Sequence, residues 1–415
     1  MKMSTRITSR FIAGCLLAFA VAAFVGVRMS AQNSLVAATG TKPFAVEPSP
    51  DRLVVHEWGT FTSIAGRDGV ALEWRPLNGP SDLPRFVHTI QEGSDGLRHR
   101  TVQGKDSLTA RVRMETPVLY FYSGKEMEVS VKVDFPKGKI TEWYPQARAA
   151  AAGIDWGRLK VMPGAALTFP VESSDSHYYP AREVDSAPVQ VCSTDTAKPA
   201  QQEKFLFYRG VGNFDLPLSV KLEGETVQLK NTGREEIAHL VIFENRGGKI
   251  GYRLCDAFTG EMTHERPLLD KNLDSLLADL KGILVSSGLY EKEAAAMIKT
   301  WRSSWFEEGM RVFYILPRRT TDQILPVTIE PRPAELVRVL VGRAEVITPG
   351  MEKSVQQQLS LLRDPSSEVR ETAMREIRKY GRFSEPILKR LLTQERDARV
   401  RSRIRRLIAT PSTAS

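Results

Sequence analysis

Four glutamates sit beside aromatic residues in stretches that read as strands. Glu57 precedes Trp58, Glu73 precedes Trp74, Glu142 precedes Trp143 and Tyr144, and Glu115 leads into the aromatic run Tyr120-Phe121-Tyr122. Two carboxylates flanked by aromatic platforms are what glycoside hydrolysis uses, one as acid and one as base or nucleophile. His56, Trp58, Trp74, Trp143 and Tyr144 would equally serve to stack on a sugar face with no chemistry at all. The plainer reading makes the glutamates ordinary strand polar positions and the tryptophans core. Glu57 carries the sharpest demand. It lies inside Leu53-Val54-Val55-His56-Glu57-Trp58-Gly59-Thr60-Phe61, among apolar neighbours, where a carboxylate needs a hydrogen bond or a cation. Gly59 in the same strand implies a bulge or a close approach by another backbone or ligand.

Other reactive apparatus is missing. There is no nucleophile elbow, phosphate loop, dinucleotide fingerprint or H-E-x-x-H helix. With six histidines in the chain, neither a metal site nor a cofactor is expected. Asp175 and His177 fall in a loop that reads as solvated. Glu307-Glu308 fall at the end of a helix, where negative charge is disfavoured; an arginine partner or a bound cation would relieve it.

Strict alternation identifies the strands that must position these groups. Met127, Val129, Val131, Val133 and Phe135 point one way and the polar residues between them the other. With Met114–Tyr122 before it and Lys139–Tyr144 after it, the stretch reads as a three-stranded antiparallel meander. Ala71–Trp74 reads as a strand, Ala147–Gly153 as a short helix, and 78–110 as loops. Leu159–Val171 holds two strands broken at Pro163-Gly164. Lys204–Gly210 is a strand, and Thr226–Asn231, Ile237–Glu244 and Ile250–Cys255 form another meander. Leucines at helical spacing from Leu269 to Leu284 form one helix and Tyr290–Phe306 a second. Arg311–Leu316, Ile324–Ile329 and Val337–Ile347 return to strand.

The fold class expected is therefore mainly β. A β-sandwich-like body spans 51–265, an α+β segment of a helix pair plus strands spans 266–350, and helical repeats occupy 351–415. In that tail, Val369-Arg370 and Val400-Arg401 each follow an aspartate-containing turn, and Val, Ala and Ile recur as a buried stripe. This resembles HEAT-type repeats. Two such repeats do not bury their stripe alone, so the tail should dock on the preceding domain or on a partner.

The net charge is +9. The tail from Met351 holds 15 Lys and Arg against 8 Asp and Glu, so most of the excess is there. It reads as a solvated arginine-rich helix face, open to a protein partner; nucleic acid is not expected. At the other end, Lys2, Arg6 and Arg10 precede the uncharged run Phe11–Val27. That pattern is an export signal over residues 1–32, either cleaved near Ala31 or Ala38 or kept as an inner-membrane anchor over 11–27, the only membrane contact expected. Residues 33–50 form a connector. The protein is thus expected to be periplasmic or secreted. Cys192 and Cys255 could pair there, which their spacing leaves open.

Three segments carry a family resemblance. His56-Glu57-Trp58-Gly59-Thr60-Phe61-Thr62, Met114-Glu115-Thr116-Pro117 with its aromatic strand, and Ser304-Trp305-Phe306-Glu307-Glu308-Gly309 resemble a group of exported bacterial proteins with no assigned activity. The resemblance covers roughly residues 50 to 350 and implies no catalytic residues. Two functions follow as expectations: an extracytoplasmic binding or scaffold protein of unknown ligand with a helical contact tail, or a carbohydrate-active hydrolase using carboxylates on adjacent strands.

Overall fold

The computed structural model describes residues 52–79, 82–90, 105–150, 152–172, 175–191 and 199–409. The expected export signal, anchor and connector and Cys192 lie outside the described residues, and with them the possible pairing with Cys255. Among the described residues, no helix is long and apolar enough to cross a membrane.

In chain order the first strands are β1 (Val54–Ala65), β2 (His88–Thr89), β3 (Val112–Tyr122), β4 (Met127–Asp134), β5 (Gly138–Tyr144), β6 (Arg148–Ala150), β7 (Gly153–Val161), β8 (Val189–Val191) and β9 (Gln201–Glu203). Then come β10 (Leu206–Gly212), β11 (Leu218–Glu223), β12 (Thr226–Asn231), β13 (Leu240–Arg246), β14 (Lys249–Cys255) and β15 (Glu261–Glu265). Helices α1 (Leu273–Ser286) and α2 (Glu291–Trp305) precede β16 (Gly309–Ile315), α3 (Arg318–Ile324), β17 (Val327–Glu330) and β18 (Glu335–Val346). The tail is α4 (Pro349–Leu361), α5 (Ser367–Arg378), α6 (Ser384–Gln394) and α7 (Ala398–Ala409).

The architecture is mainly β with a helical C-terminal region. Nine strands form one sheet in the order β14-β13-β16-β18-β1-β3-β10-β5-β2. A second sheet runs β17-β4-β7-β8-β9, with β6 added to β7, and β11-β12-β15 make a third. β1 lies at the middle of the large sheet, parallel to β18 and antiparallel to β3. Every one of its twelve residues is buried, because one face meets the second and third sheets and the other meets helices. Its register with β3 shifts between Trp58 and Thr60. There Gly59 packs so closely that a methyl group would sit 2.9 Å from the Pro117 backbone. Both alternatives expected of that glycine are therefore met.

The three strands of the expected meander form, but they do not pair with one another. β3 pairs with β1 and β10, β5 with β10 and β2, and β4 with β17 and β7 in the other sheet. The burial patterns explain the separation. β4 alternates with one wet face, as an outer-layer strand must. β3 is buried on both faces, which only an inner position supplies. The chain thus arches between layers, and Val129, Val131, Val133 and Phe135 meet Met114, Leu119 and Phe121 across the sandwich in one core.

Further corrections are local. Ala71–Trp74 makes only isolated bridges, Ala65 to Ala71 and Trp74 to Ala110. The alanine run at 147–153 forms β6 and the turn into β7, not a helix; so short a helix does not repay its nucleation, whereas the edge of β7 offers ladder partners. Leu159–Val171 holds the end of one strand only. β12 pairs with β11 and β15 and leaves β13-β14 as a hairpin in the large sheet. The strands after residue 266, β16 and β18, sit inside the same sheet as β1, so 51–265 and 266–350 share one core.

The tail forms two helix pairs, as the repeat spacing implies. Ala373, Ile377, Val400, Ile404 and Leu407 share a cluster with Ile64 and Trp74 of the body. The repeat arginines play matching parts: Arg370 donates to the carbonyls of Asp364 and Pro365, and Arg401 to that of Glu395. Asp397 caps α7, accepting from Arg399 and Val400 backbone N–H groups. Asp364 instead holds the turn ahead of α5 by accepting from Ser366 N–H.

Candidate functional site

The helix-facing side of the large sheet divides in two. One half is apolar: Trp58, Val118, Tyr120, Phe207, Phe313 and Val341 pack under α1 and α2. Along the same strands the other half turns charged, with Arg113 and Glu115 on β3, Arg209 on β10, Glu142 on β5, Arg311 on β16, and Arg343 and Glu345 on β18. Thr62 on β1 is in register with Arg113 on one side and Arg343 on the other. These residues stand at alternate positions in otherwise apolar strands, which is how the pleat delivers them to one face.

Their pairing is dense. Arg209 grips Glu142 through Nε (3.2 Å) and Nη2 (2.9 Å), and its Nη1 meets both Asp82 oxygens at 2.8 and 2.9 Å. Lys105 Nζ donates to Glu142 Oε1 at 2.9 Å. Arg113 reaches Asp82 Oδ2 at 3.1 Å and Glu115 Oε1 at 3.2 Å, and Thr62 Oγ1 donates to Glu115 Oε2 at 2.8 Å. Arg311 Nε meets Glu345 Oε2 at 3.1 Å while its Nη atoms donate to the carbonyls of Trp305, Glu307 and Glu308. Arg311 therefore caps the end of α2, where a cation belongs. Arg343 and Arg382 meet the Glu307 carboxylate, and the Glu308 carboxylate accepts from Gly247 N–H. An arginine partner is thus present for Glu307, while Glu308 stays exposed at the helix end.

Between this face, the end of α2 and the tail segment Arg378–Glu385 lies a half-open cavity of about 1080 Å³. Asp82, Arg113, Glu115, Glu142, His177 and Arg209 are on its sheet side, and Arg382 on its tail side. The His177 and Trp301 rings pack on its wall with centroids 5.1 Å apart. His177 is thus tucked against the helix, unlike the solvated loop residue expected; Asp175 remains exposed.

Of the four candidate glutamates, Glu115 and Glu142 line this one cavity. Glu57 is on the opposite side of the sheet, fully buried and held by Tyr208 and Arg338, and Glu73 is exposed. Burial opposes the Glu115 charge, but Arg113, Arg343 and Arg382 outweigh it and hold its carboxyl below the usual range. Burial likewise opposes the Glu142 charge, and Arg209 and Lys105 pull its pKa down to about 2. Asp82 is held low by Arg209 and Arg113 against its own burial. Burial, with Arg209 and Arg113, lowers the His177 pKa, and Asp82 opposes them. Glycoside cleavage needs one carboxylic acid that keeps its proton near neutral pH; of the candidate glutamates, the two that line this cavity, Glu115 and Glu142, are both held ionised.

The aromatic candidates scatter. Trp74 alone lines the cavity, and it also anchors the tail. His56 is buried, with Nδ1 2.8 Å from Glu293 Oε2. Trp58 is fully buried beside Tyr120. Trp143 stacks on His88, and Tyr144 is buried against Phe86; burial raises the Tyr144 pKa to about 12. Cys255, half-buried, has its thiol pushed up to about 11 by burial.

No family model and no curated protein sequence match the chain. Two solved structures of one domain are similar to parts of it. The yeast delta-COP-I mu-homology domain complexed with a Dsl1 WxWxV peptide is 7% identical, with 72% of this chain and 100% of that one covered at a TM-score of 0.29. The yeast delta-COP-I mu-homology domain is 8% identical, with 72% and 99% covered at the same TM-score. Likeness at that level carries no argument about function.

The depressed carboxyls make the charged face acid-sensitive. A carboxyl that binds protons less readily folded than unfolded stabilises the fold above its unfolded pKa and loses that stability as pH falls through the folded one. For Glu142 the window runs from the ordinary 4.5 down to about 2, worth on the order of 3 kcal/mol. Thermal midpoints should fall progressively from pH 5 to pH 2, and the fall should be shallower in Glu142→Gln.

Proposed function

We propose that this protein is an exported binding protein whose ligand sits in the cavity between the charged sheet face and the helical tail. One observation carries the reading: a cavity of about 1080 Å³ whose wall is assembled from sheet strands, the end of α2 and the tail. Ligand sites of roughly 300–1,000 Å³ with convergent polar groups are the usual form of small-molecule recognition. The side chains around this one are cross-braced by ion pairs, and such bracing keeps a site in shape before its ligand arrives. On this reading the tail contributes a wall of the site through Arg382, and its outward helix faces remain available to a protein partner. Export is part of the proposal and rests on the charged, then apolar, N-terminal sequence.

The test is a thermal-shift screen of the full chain against neutral sugars, short peptides and organic acids. Ser303 is exposed and lines the cavity, so Ser303→Trp fills space without disturbing the core. At least one class should raise the melting temperature of the parent, and Ser303→Trp should abolish that shift. A shift that survives the substitution unchanged, or no shift with any class, would count against the cavity as a ligand site.

A further inference from the structure

Within that binding reading, on which this step rests, we infer that the cavity selects a small organic oxyanion, a carboxylate or a phosphate ester, held by Arg113, Arg382 and Lys105. The charges near the cavity are close to balanced in number, but they are not equally reachable. The side chains of Glu115 and Glu142 are 3% and 2% exposed, whereas Lys105, Arg113 and Arg382 keep 31%, 17% and 18%. The carboxylates lie at the back of the wall and the cations in front of them. Asp82 and Glu307, 35% and 31% exposed, are the reachable acids beside these cations, and each is already shared between two guanidinium groups: Arg209 and Arg113 for the first, Arg343 and Arg382 for the second. Glu225 and Glu308 are also exposed on the lining; the first is paired with Arg266 and the second accepts from Gly247 N–H. What the cavity offers a newcomer at Lys105, Arg113 and Arg382 is therefore positive.

Donor capacity points the same way. A guanidinium has five N–H donors and an ammonium three. Among the described residues, Arg382 meets the Glu307 carboxylate and, at 3.8 Å, Glu345 Oε1; Lys105 meets Glu142 Oε1 alone. Both keep N–H groups in hand, and they approach from different elements, the tail and the loop before β3. Burial, with Arg113 nearby, outweighs the help of Glu115 at Arg382 and pulls its pKa down to about 10. An oxyanion between these side chains takes up the remaining donors, by charge-assisted bonds that are stronger than neutral ones. The His177–Trp301 ring pair gives the body of the ligand a flat apolar wall.

Matched probes decide this. Galacturonate against galactose, and glucose 6-phosphate against glucose, are titrated calorimetrically into the full chain and into Arg382→Gln, Arg382→Lys and Lys105→Gln. Glu307 retains Arg343 at 3.3 Å when Arg382 is neutral, so Arg382→Gln should stay folded; its melting curve checks that. The charged member of at least one pair should bind, and the two pairs tell carboxylate from phosphate. Arg382→Gln should weaken it about 10- to 100-fold, Arg382→Lys should recover part of the loss, and Lys105→Gln should weaken it too. Neutral members binding as well as charged ones, with no change in Arg382→Gln, would overturn the oxyanion and leave the binding site standing. Charged members binding equally to parent, Arg382→Gln and Ser303→Trp would place them outside the cavity and overturn both. Failure of both charged probes to bind the parent would also overturn the oxyanion.

Discussion

Arg209→Met should destabilise the protein by about 3–5 kcal/mol, the cost of removing one member of a buried ion-paired set. Arg209 is 2% exposed and makes four hydrogen bonds, two to Glu142 and two to Asp82. Methionine of similar length fills the space, so cavity formation is a minor part of the loss. The major part is Glu142, left 1% exposed with Lys105 as its one remaining cation among the described residues and the Thr141 hydroxyl as a neutral donor. Asp82 suffers less, because it retains Arg113 and reaches water. The double variant Arg209→Met, Glu142→Leu should therefore recover most of the loss, since replacing both partners of a buried pair by apolar groups is close to neutral. Urea midpoints of the parent, both single variants and the double close a thermodynamic cycle. Additive losses, with a double variant weaker than either single, would show that the pair does not act as a unit.

These pairings explain what could be read from residue order. The strand positions were legible wherever burial follows period two, as in β4, or where a helix stripe repeats, as in α1 and α2. Pairing was not. β3, β4 and β5 are consecutive and joined by tight turns, and proximity in sequence argues for a hairpin. What sends β4 to another layer is that β3 needs cover on both faces: β4 and its sheet cover one, the helices cover the other, and β1 and β10 from distant sequence take its pairing edges. Short elements failed for a related reason. The alanines of β6 have no strong preference of their own, so the free edge of β7 decides their conformation.

The charged face is not visible from the acids alone. Glu115 and Glu142 stand beside aromatic residues in the sequence, yet what they touch is arginine. The signal was present in Phe207-Tyr208-Arg209-Gly210-Val211, in Met310-Arg311-Val312-Phe313 and in Val341-Gly342-Arg343-Ala344-Glu345. An arginine at the centre of a strand with no wet face has to be buried and has to be paired. Three such strands predict a shared set of carboxylates. The contribution of the tail to the cavity had no comparable trace, since nothing near Arg382 distinguishes it from the exposed arginines of α5 and α7.

Removing the tail after Thr348 should cost the body about 3–6 kcal/mol and make it prone to association. Ile64 and Trp74 are 0% and 4% exposed and belong to the tail cluster. Uncovering a large apolar side chain costs roughly 1.5–3 kcal/mol each. The ion pairs Arg67–Glu352 and Arg75–Glu385 and the bond from Arg75 to the Ile408 carbonyl would go with them. The first is largely exposed on its arginine side and adds little; the second is nearly buried and adds more. Glu307 would lose Arg382 but keep Arg343, so the sheet's charged face should survive and the truncated body should still fold, with a lower urea midpoint and a concentration-dependent sedimentation profile. The isolated tail should show weak, non-cooperative helical signal, because two repeats leave their stripe open. A truncated body as stable and as monomeric as the parent would mean that Ile64 and Trp74 are buried by something other than the tail. A tail that folds cooperatively by itself would mean that its repeats close their own core. Either outcome would separate the tail from the body energetically and, with it, remove the reason for Arg382 to face the sheet.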